Sequence, residues 1–139
     1  MKTKTLFPFL LITFSVIIIA CKKDKAVPVN NPPQTKTPQQ LILGTWNWKW
    51  TQPPFSASLL TPDSEGYTKK LKFYESMNME SYKNDTFIFT YPYTLISDSF
   101  GLYLTYNSAS YLIFLTEDSL TIDESSATND APVHLYLKY

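Results

Sequence analysis

From Thr45 to Lys138 apolar and polar residues alternate with a period of two, and no stretch repeats convincingly at 3.6. Trp46, Trp48 and Trp50 fall on one face, opposite Thr45, Asn47, Lys49 and Thr51. Tyr67, Leu71 and Phe73 form a second run, and Met77 with Met79 a third. Phe87, Phe89, Tyr91 and Tyr93 follow, then Leu102, Leu104 and Tyr106, then the nearly continuous Tyr111 to Leu115. Leu120 with Ile122, and Val133, Leu135 and Leu137, complete the set. Successive strand side chains point to opposite faces, so each run reads as a half-buried strand. Turn-forming clusters separate the runs at Pro62–Gly66, Lys83–Asp85, Ser97–Ser99, Asn107–Ser108 and Glu117–Asp118. Short strands at roughly 12-residue spacing predict an all-β antiparallel sandwich or barrel. One helical signal precedes them. Thr37 as N-cap, Pro38 at the first position and Gln40 three after the cap predict a single turn, closed by Gly44.

The first 20 residues follow different rules. Lys2 and Lys4 precede an apolar run from Leu6 to Ala20, 15 residues long and below the roughly 18 that a spanning helix needs. It ends in Ile18-Ile19-Ala20-Cys21, which resembles the bacterial lipobox. Residues 1–20 are therefore expected to be a lipoprotein signal peptide cut between Ala20 and Cys21. The resemblance implies a diacylglycerol thioether on the Cys21 sulfur and a further acyl chain, such as palmitate, on the freed amine. Each buried CH₂ adds roughly 0.8 kcal/mol, so two or three chains hold a membrane far better than one. Cys21 is the sole cysteine, which leaves no disulfide to form. Lys22 stands where Gram-negative lipoproteins kept in the inner membrane carry Asp, so the expected place is the cell envelope, at the outer membrane, on either face.

Residues 21–40 read as a lipidated cysteine and a flexible Pro- and Lys-rich tether, and 41–139 as one β domain. Extended at about 3.1 Å per residue, the tether reaches roughly 50–60 Å. Four lysines against Asp24 give 21–40 a charge of +3, whereas six lysines against eleven acids give 41–139 a charge of −5. The whole chain is neutral, which excludes a nucleic-acid binder driven by bulk charge. Aromatic residues at 16% and charged residues at 17% exclude a wholly disordered chain.

Gly44-Thr45-Trp46 after a helical turn, opening eight alternating runs, resembles the lipocalin superfamily. It is closer to the short lipocalin-like domains of Gram-negative lipoproteins, which begin Gly-x-Trp-x-Trp. They end in a strand bearing His, an aromatic and a basic residue, here Val133 to Tyr139. The resemblance implies an up-and-down eight-stranded barrel, small or flattened, and a monomer. It also implies that Gly44, Trp46, Trp48 and Trp50 close and fill the barrel. In lipocalins an arginine of the last strand packs on the first tryptophan; this chain has no arginine, and Lys138 is the replacement.

Candidate chemistry is sparse. His134 is the sole histidine, and its register among polar positions predicts a surface residue. Nothing around Ser110 or Ser119 marks a nucleophile elbow, so no catalytic residue is assigned and no enzyme is expected. The pairs Glu117-Asp118 and Asp123-Glu124 sit in turns, where solvation is expected. Asp123, Glu124 and Asp130 match no calcium-loop spacing, and no metal or cofactor is assigned. Asp118-Ser119-Leu120 resembles an O-glycosylation acceptor but reads as a strand start. The three-tryptophan face is read as core rather than as a sugar-stacking platform. Phe87, Phe89, Tyr91, Tyr106 and Tyr111, with Tyr93 and Tyr103, are the expected ligand lining. The expected function is a membrane-anchored lipoprotein that binds a small hydrophobic or amphipathic molecule. The alternative is an envelope interaction module whose filled barrel contacts protein or glycan through its loops. A hollow interior separates the two readings.

Overall fold

The computed structural model describes residues 35–126 and 130–139. The signal peptide, Cys21 and the tether up to Gln34 lie outside the described residues, as do positions 127–129. Eight antiparallel strands close into a barrel in chain order, each paired with its sequence neighbour and β8 with β1. They are β1 Gly44–Gln52, β2 Lys69–Phe73, β3 Asn78–Lys83, β4 Thr86–Ser97, β5 Leu102–Tyr106, β6 Ala109–Leu115, β7 Ser119–Asp123 and β8 Val133–Lys138. The alternation predicts an antiparallel sandwich or barrel, and of the two the structure is the barrel, up-and-down and eight-stranded as the resemblance implies.

Local chemistry explains the connections. Two-residue hairpins favour turns with positive φ at both central positions, which match the twist of the flanking strands. Asn84 and Asp85 (φ 49° and 61°) make that turn between β3 and β4, and Asn107 and Ser108 (48° and 64°) make it between β5 and β6. Helix α1, Pro38–Ile42, starts with the expected capping box: the Thr37 side chain accepts from the Gln40 amide, and the Gln40 side chain accepts from the Thr37 amide. A second short helix, α2, Pro62–Glu65, occupies the β1–β2 connection. There the sequence suggests only a turn, although Thr61-Pro62 repeats the Thr37-Pro38 signal, and Gly66 ends the helix in the left-handed region.

The core runs along the barrel axis. Trp46, Met79, Leu104 and Leu120 are fully buried, with Trp48, Leu71, Phe73, Tyr93, Ile113, Ile122 and Tyr136 around them. Ile42 of α1 is equally buried.

Two bulges overturn part of the expected lining. Pairing between β1 and β8 shifts between Trp48 and Trp50, so Trp50 faces Leu135 on the outer wall and Thr51 takes the inward seat, 5% exposed. Trp50 is therefore not a core residue. A second shift, at Ser81/Tyr82 on β3, pairs Phe87 with the outward Tyr82, and the two rings meet edge to face at 6.0 Å. Phe87 lines no interior. Tyr103 also faces outward, between the inward Leu102 and Leu104 of β5. Strand β8 is reversed relative to expectation. His134 pairs with Ile122 and Tyr136 with Leu120, so His134, Tyr136 and Lys138 face inward while Leu135 and Leu137 form outer wall.

The two tryptophan settings give a direct contrast. Trp46→Ala should cost roughly 3–5 kcal/mol, the range for a truncated buried aromatic, whereas Trp50→Ala should cost about 1 kcal/mol. Urea unfolding of the two variants measures both values, and equal losses would contradict the bulge.

Candidate functional site

The barrel has a sealed base and a polar mouth. At the base the Trp46 indole N–H donates to the Ile42 carbonyl at 2.7 Å, which ties β1 to α1. The Lys138 ammonium donates to the Leu41 carbonyl at 2.7 Å and lies 4.9 Å from the Trp46 ring centroid. Lys138 thus packs over the face of Trp46 and joins β8 to α1. Burial lowers its pKa first, the nearby Lys36 adds to this, and Glu117 opposes. Gly44 stands at φ +116°, and a Cβ there would sit 3.2 Å from the Lys138 Cε. Glycine at this position serves both the backbone and the lysine stem.

At the other end the strands turn charged and phenolic groups inward. Trp48 stacks on Tyr67 at 5.7 Å with 14° between the planes, and the Lys69 ammonium lies 4.8 Å from the Trp48 centroid and 5.7 Å from that of Tyr67. Lys83 approaches the Tyr67 ring to 4.0 Å. Burial lowers the Lys69 pKa, with Glu124 and Glu65 opposing and Lys83 reinforcing the shift.

A hydrogen-bond chain runs beside this group. The Trp48 indole donates to Thr51 Oγ1 at 2.9 Å, Thr51 Oγ1 meets His134 Nδ1 at 2.7 Å, and His134 Nε2 lies 3.3 Å from the Glu124 carboxylate. Every member is satisfied if Thr51 donates to Nδ1 and a neutral imidazole carries its proton on Nε2. His134 is not the surface residue that its register suggests; its side chain is 12% exposed. Glu124 likewise is no freely solvated turn acid. Its side chain is 30% exposed and its carboxylate faces His134, and its charge favours the ionised form of Lys69 against the effect of burial. Among the described residues no group of three metal-binding side chains gathers, so Asp123, Glu124 and Asp130 do not come together. Asp123 instead accepts from the Ser125 amide at 2.9 Å.

Phe89, Tyr91, Tyr106 and Tyr111 form the opposite wall as a continuous aromatic row, with centroid separations of 4.8, 6.5 and 4.9 Å. All four are half-buried. Burial raises the Tyr106 pKa, with Tyr111 and Glu124 contributing, and burial raises that of Tyr136, with Glu124 and Tyr67 contributing. Among the described residues no pocket is found.

The residues that sequence reasoning missed are Thr51, Tyr67, Lys69, Glu124 and His134. Lys69 shares parity with Leu71 and Phe73, a signal present in the sequence. Thr51 depends on the bulge, for which the sequence has no marker, and His134 on which face of β8 points inward, which its alternation does not show.

The tyrosines give the fold an alkaline limit. Tyr67, Tyr74, Tyr82, Tyr93, Tyr106 and Tyr136 all have raised pKa values in the folded state. Their contribution is complete below the ordinary tyrosine pKa of about 10 and is lost as pH rises beyond it, because the unfolded chain ionises first. The lowered Lys69 and Lys138 act oppositely, adding stability as pH rises through their folded values toward about 10.5. Tyr93, Tyr106 and Tyr136, raised chiefly by burial, dominate over Tyr74 and Tyr82, whose hydrogen bonds to Glu80 are solvent-screened, so stability should fall above pH 10. Part of the tyrosinate absorbance near 295 nm should appear only together with loss of the β-sheet circular dichroism. Smooth titration of every tyrosine in a folded chain would contradict the inward placement.

No family model matches the chain, and no curated protein matches it.

Proposed function

We propose that this chain is a lipid-anchored envelope lipoprotein whose lipocalin-like barrel receives a small amphipathic molecule at its mouth. The observation that carries the reading is the inward-turned group of Lys69, Glu124 and His134 beside the tyrosine row, at the end opposite the sealed base. Charged groups cost free energy to bury, and an all-apolar interior would give the domain more stability. Their retention at one end fits a ligand with a polar head, met by lysine, carboxylate and phenol, and an apolar body lying on the aromatic row. The same geometry supports binding rather than turnover. Thr51, the hydroxyl nearest His134, is buried and already accepts from Trp48, so it offers no exposed nucleophile. The Ile18-Ile19-Ala20-Cys21 junction supports the anchor and the outer-membrane placement.

The closely packed interior favours a second reading, an interaction module that presents its mouth loops to a protein or glycan. Phe55, 93% exposed in the β1–β2 connection, supports it.

Cys21→Ser should abolish acylation and membrane partition after a carbonate wash while leaving the barrel folded. Persistent membrane association would contradict the anchor. For the ligand, titration with dodecanoate should change the tryptophan emission, because Trp48 lies under the mouth. Lys69→Met should weaken the apparent affinity several-fold. If neither dodecanoate nor dodecylamine changes the emission, the interaction-module reading takes its place.

A further inference from the structure

The base end of the barrel carries an unusual outer surface. Ile96, Tyr103 and Leu112 are cross-strand neighbours on the outer wall of β4, β5 and β6, and Phe114 follows Leu112 on the same face. Ile96 and Phe114 are more than half exposed. The β4–β5 turn adds Phe100, 84% exposed, and that turn is well ordered by hydrogen bonds: Asp98 Oδ1 accepts from the Phe100 amide at 2.8 Å and from the Gly101 amide at 3.1 Å. An exposed phenylalanine held out by a braced turn, next to an apolar wall, marks a contact surface rather than scattered surface hydrophobes. Tyr139, 99% exposed, projects at the same end.

The chain itself indicates what meets this surface. The described residues begin at Thr35, and Lys36 pairs with Glu117 of the β6–β7 turn at 2.8 Å, so the N-terminal segment enters at the base end. Cys21 lies 14 residues earlier, a reach of about 43 Å even when fully extended at about 3.1 Å per residue. An anchor at Cys21 is therefore joined to the barrel at the base, which places that end nearer the anchor along the chain than the mouth. Charge narrows the lipid chemistry. The base-end turns carry Glu75, Asp98, Glu117 and Asp118, which disfavour an anionic surface but not a zwitterionic one. Aromatic side chains at such a rim suit the headgroup boundary, where one end is apolar and the other wet.

We propose that the base-end patch of Ile96, Phe100 and Phe114 rests on a zwitterionic lipid surface and holds the mouth pointing away from it. This rests on the proposed anchor at Cys21. The orientation leaves the charged groups of Lys69, Glu124 and His134 at the far end, open to the aqueous side.

The test uses the acylated full chain, in which the Cys21 sulfur is consumed and a new cysteine is the sole free thiol. Phe100→Cys, and Asn84→Cys in the mouth-end β3–β4 turn, are each labelled with a nitrobenzoxadiazole fluorophore. Both are reconstituted in phosphatidylcholine–phosphatidylethanolamine vesicles containing shallow nitroxide lipids. The label at position 100 should shift to the blue and be quenched several-fold more than the label at 84. Equal quenching at the two positions overturns the proposal. A label at 100 that is shielded before lipid is added, in a concentration-dependent way, assigns the patch to a second copy of the chain and also overturns it. Mass spectrometry of the N-terminal peptide reports the anchor separately. If Cys21 proves unacylated, the anchor reading fails, and the same comparison in the Cys21→Ser background still decides the docking surface. Preferential quenching at 100 then supports it, and equal quenching refutes it.

Discussion

The contact between Trp46 and its two neighbours holds the barrel in register. Its indole N–H is bound to the Ile42 carbonyl of α1, and its ring carries the Lys138 ammonium of β8. These contacts join the first strand, the last strand and the helical turn before them, so the chain ends meet at one side chain. A closed barrel has no free edge only if first and last strands pair in a fixed register, and a one-residue slip would exchange inner and outer faces. With Trp46 opposite Lys138, parity requires Tyr136 and His134 to face inward as well. The apparent anomaly of β8, with leucines outside and polar residues inside, follows from that pairing.

The same constraint distributes chemistry along the axis. Near the base the interior is apolar and fully buried, capped by Ile42. Toward the mouth several inward positions are polar: Lys69 on β2, Thr51 on β1 and His134 on β8, with Glu124 just beyond β7. Those groups are held by one another and by aromatic faces, so their burial is compensated in place. On the proposed reading, the polar head of a ligand meets these donors and acceptors at the mouth, with its apolar body on the row of rings.

Much of the fold was legible because its signals are local. Capping at Thr37 and two-residue turns at Asn84-Asp85 and Asn107-Ser108 depend on a few adjacent residues, and period two is visible on inspection. Phe89, Tyr91 and Tyr106 fall on the inner face by alternation, whereas Tyr111 lies in a run that is apolar at every position. A bulge adds one residue to a strand and leaves no composition signal, so Trp50, Phe87 and Thr51 were assigned to the wrong face. His134 was misread because alternation in β8 shows two faces without showing which is inward. The leucine set appears the better core candidate until the pairing with Trp46 is known. Glu124 was missed for a related reason, since a carboxylate directly after a strand looks solvated unless the parity of that strand carries it over the mouth.

A double-mutant cycle on Trp46→Leu and Lys138→Met tests the central pairing most directly. Because the ammonium sits over the indole face, the two changes should couple, with an interaction free energy of about 1 kcal/mol or more from urea unfolding of all four proteins. Losses that add to within about 0.5 kcal/mol would show the two residues to be energetically independent. The register of β8, and with it the inward placement of His134, would then have to rest on something else.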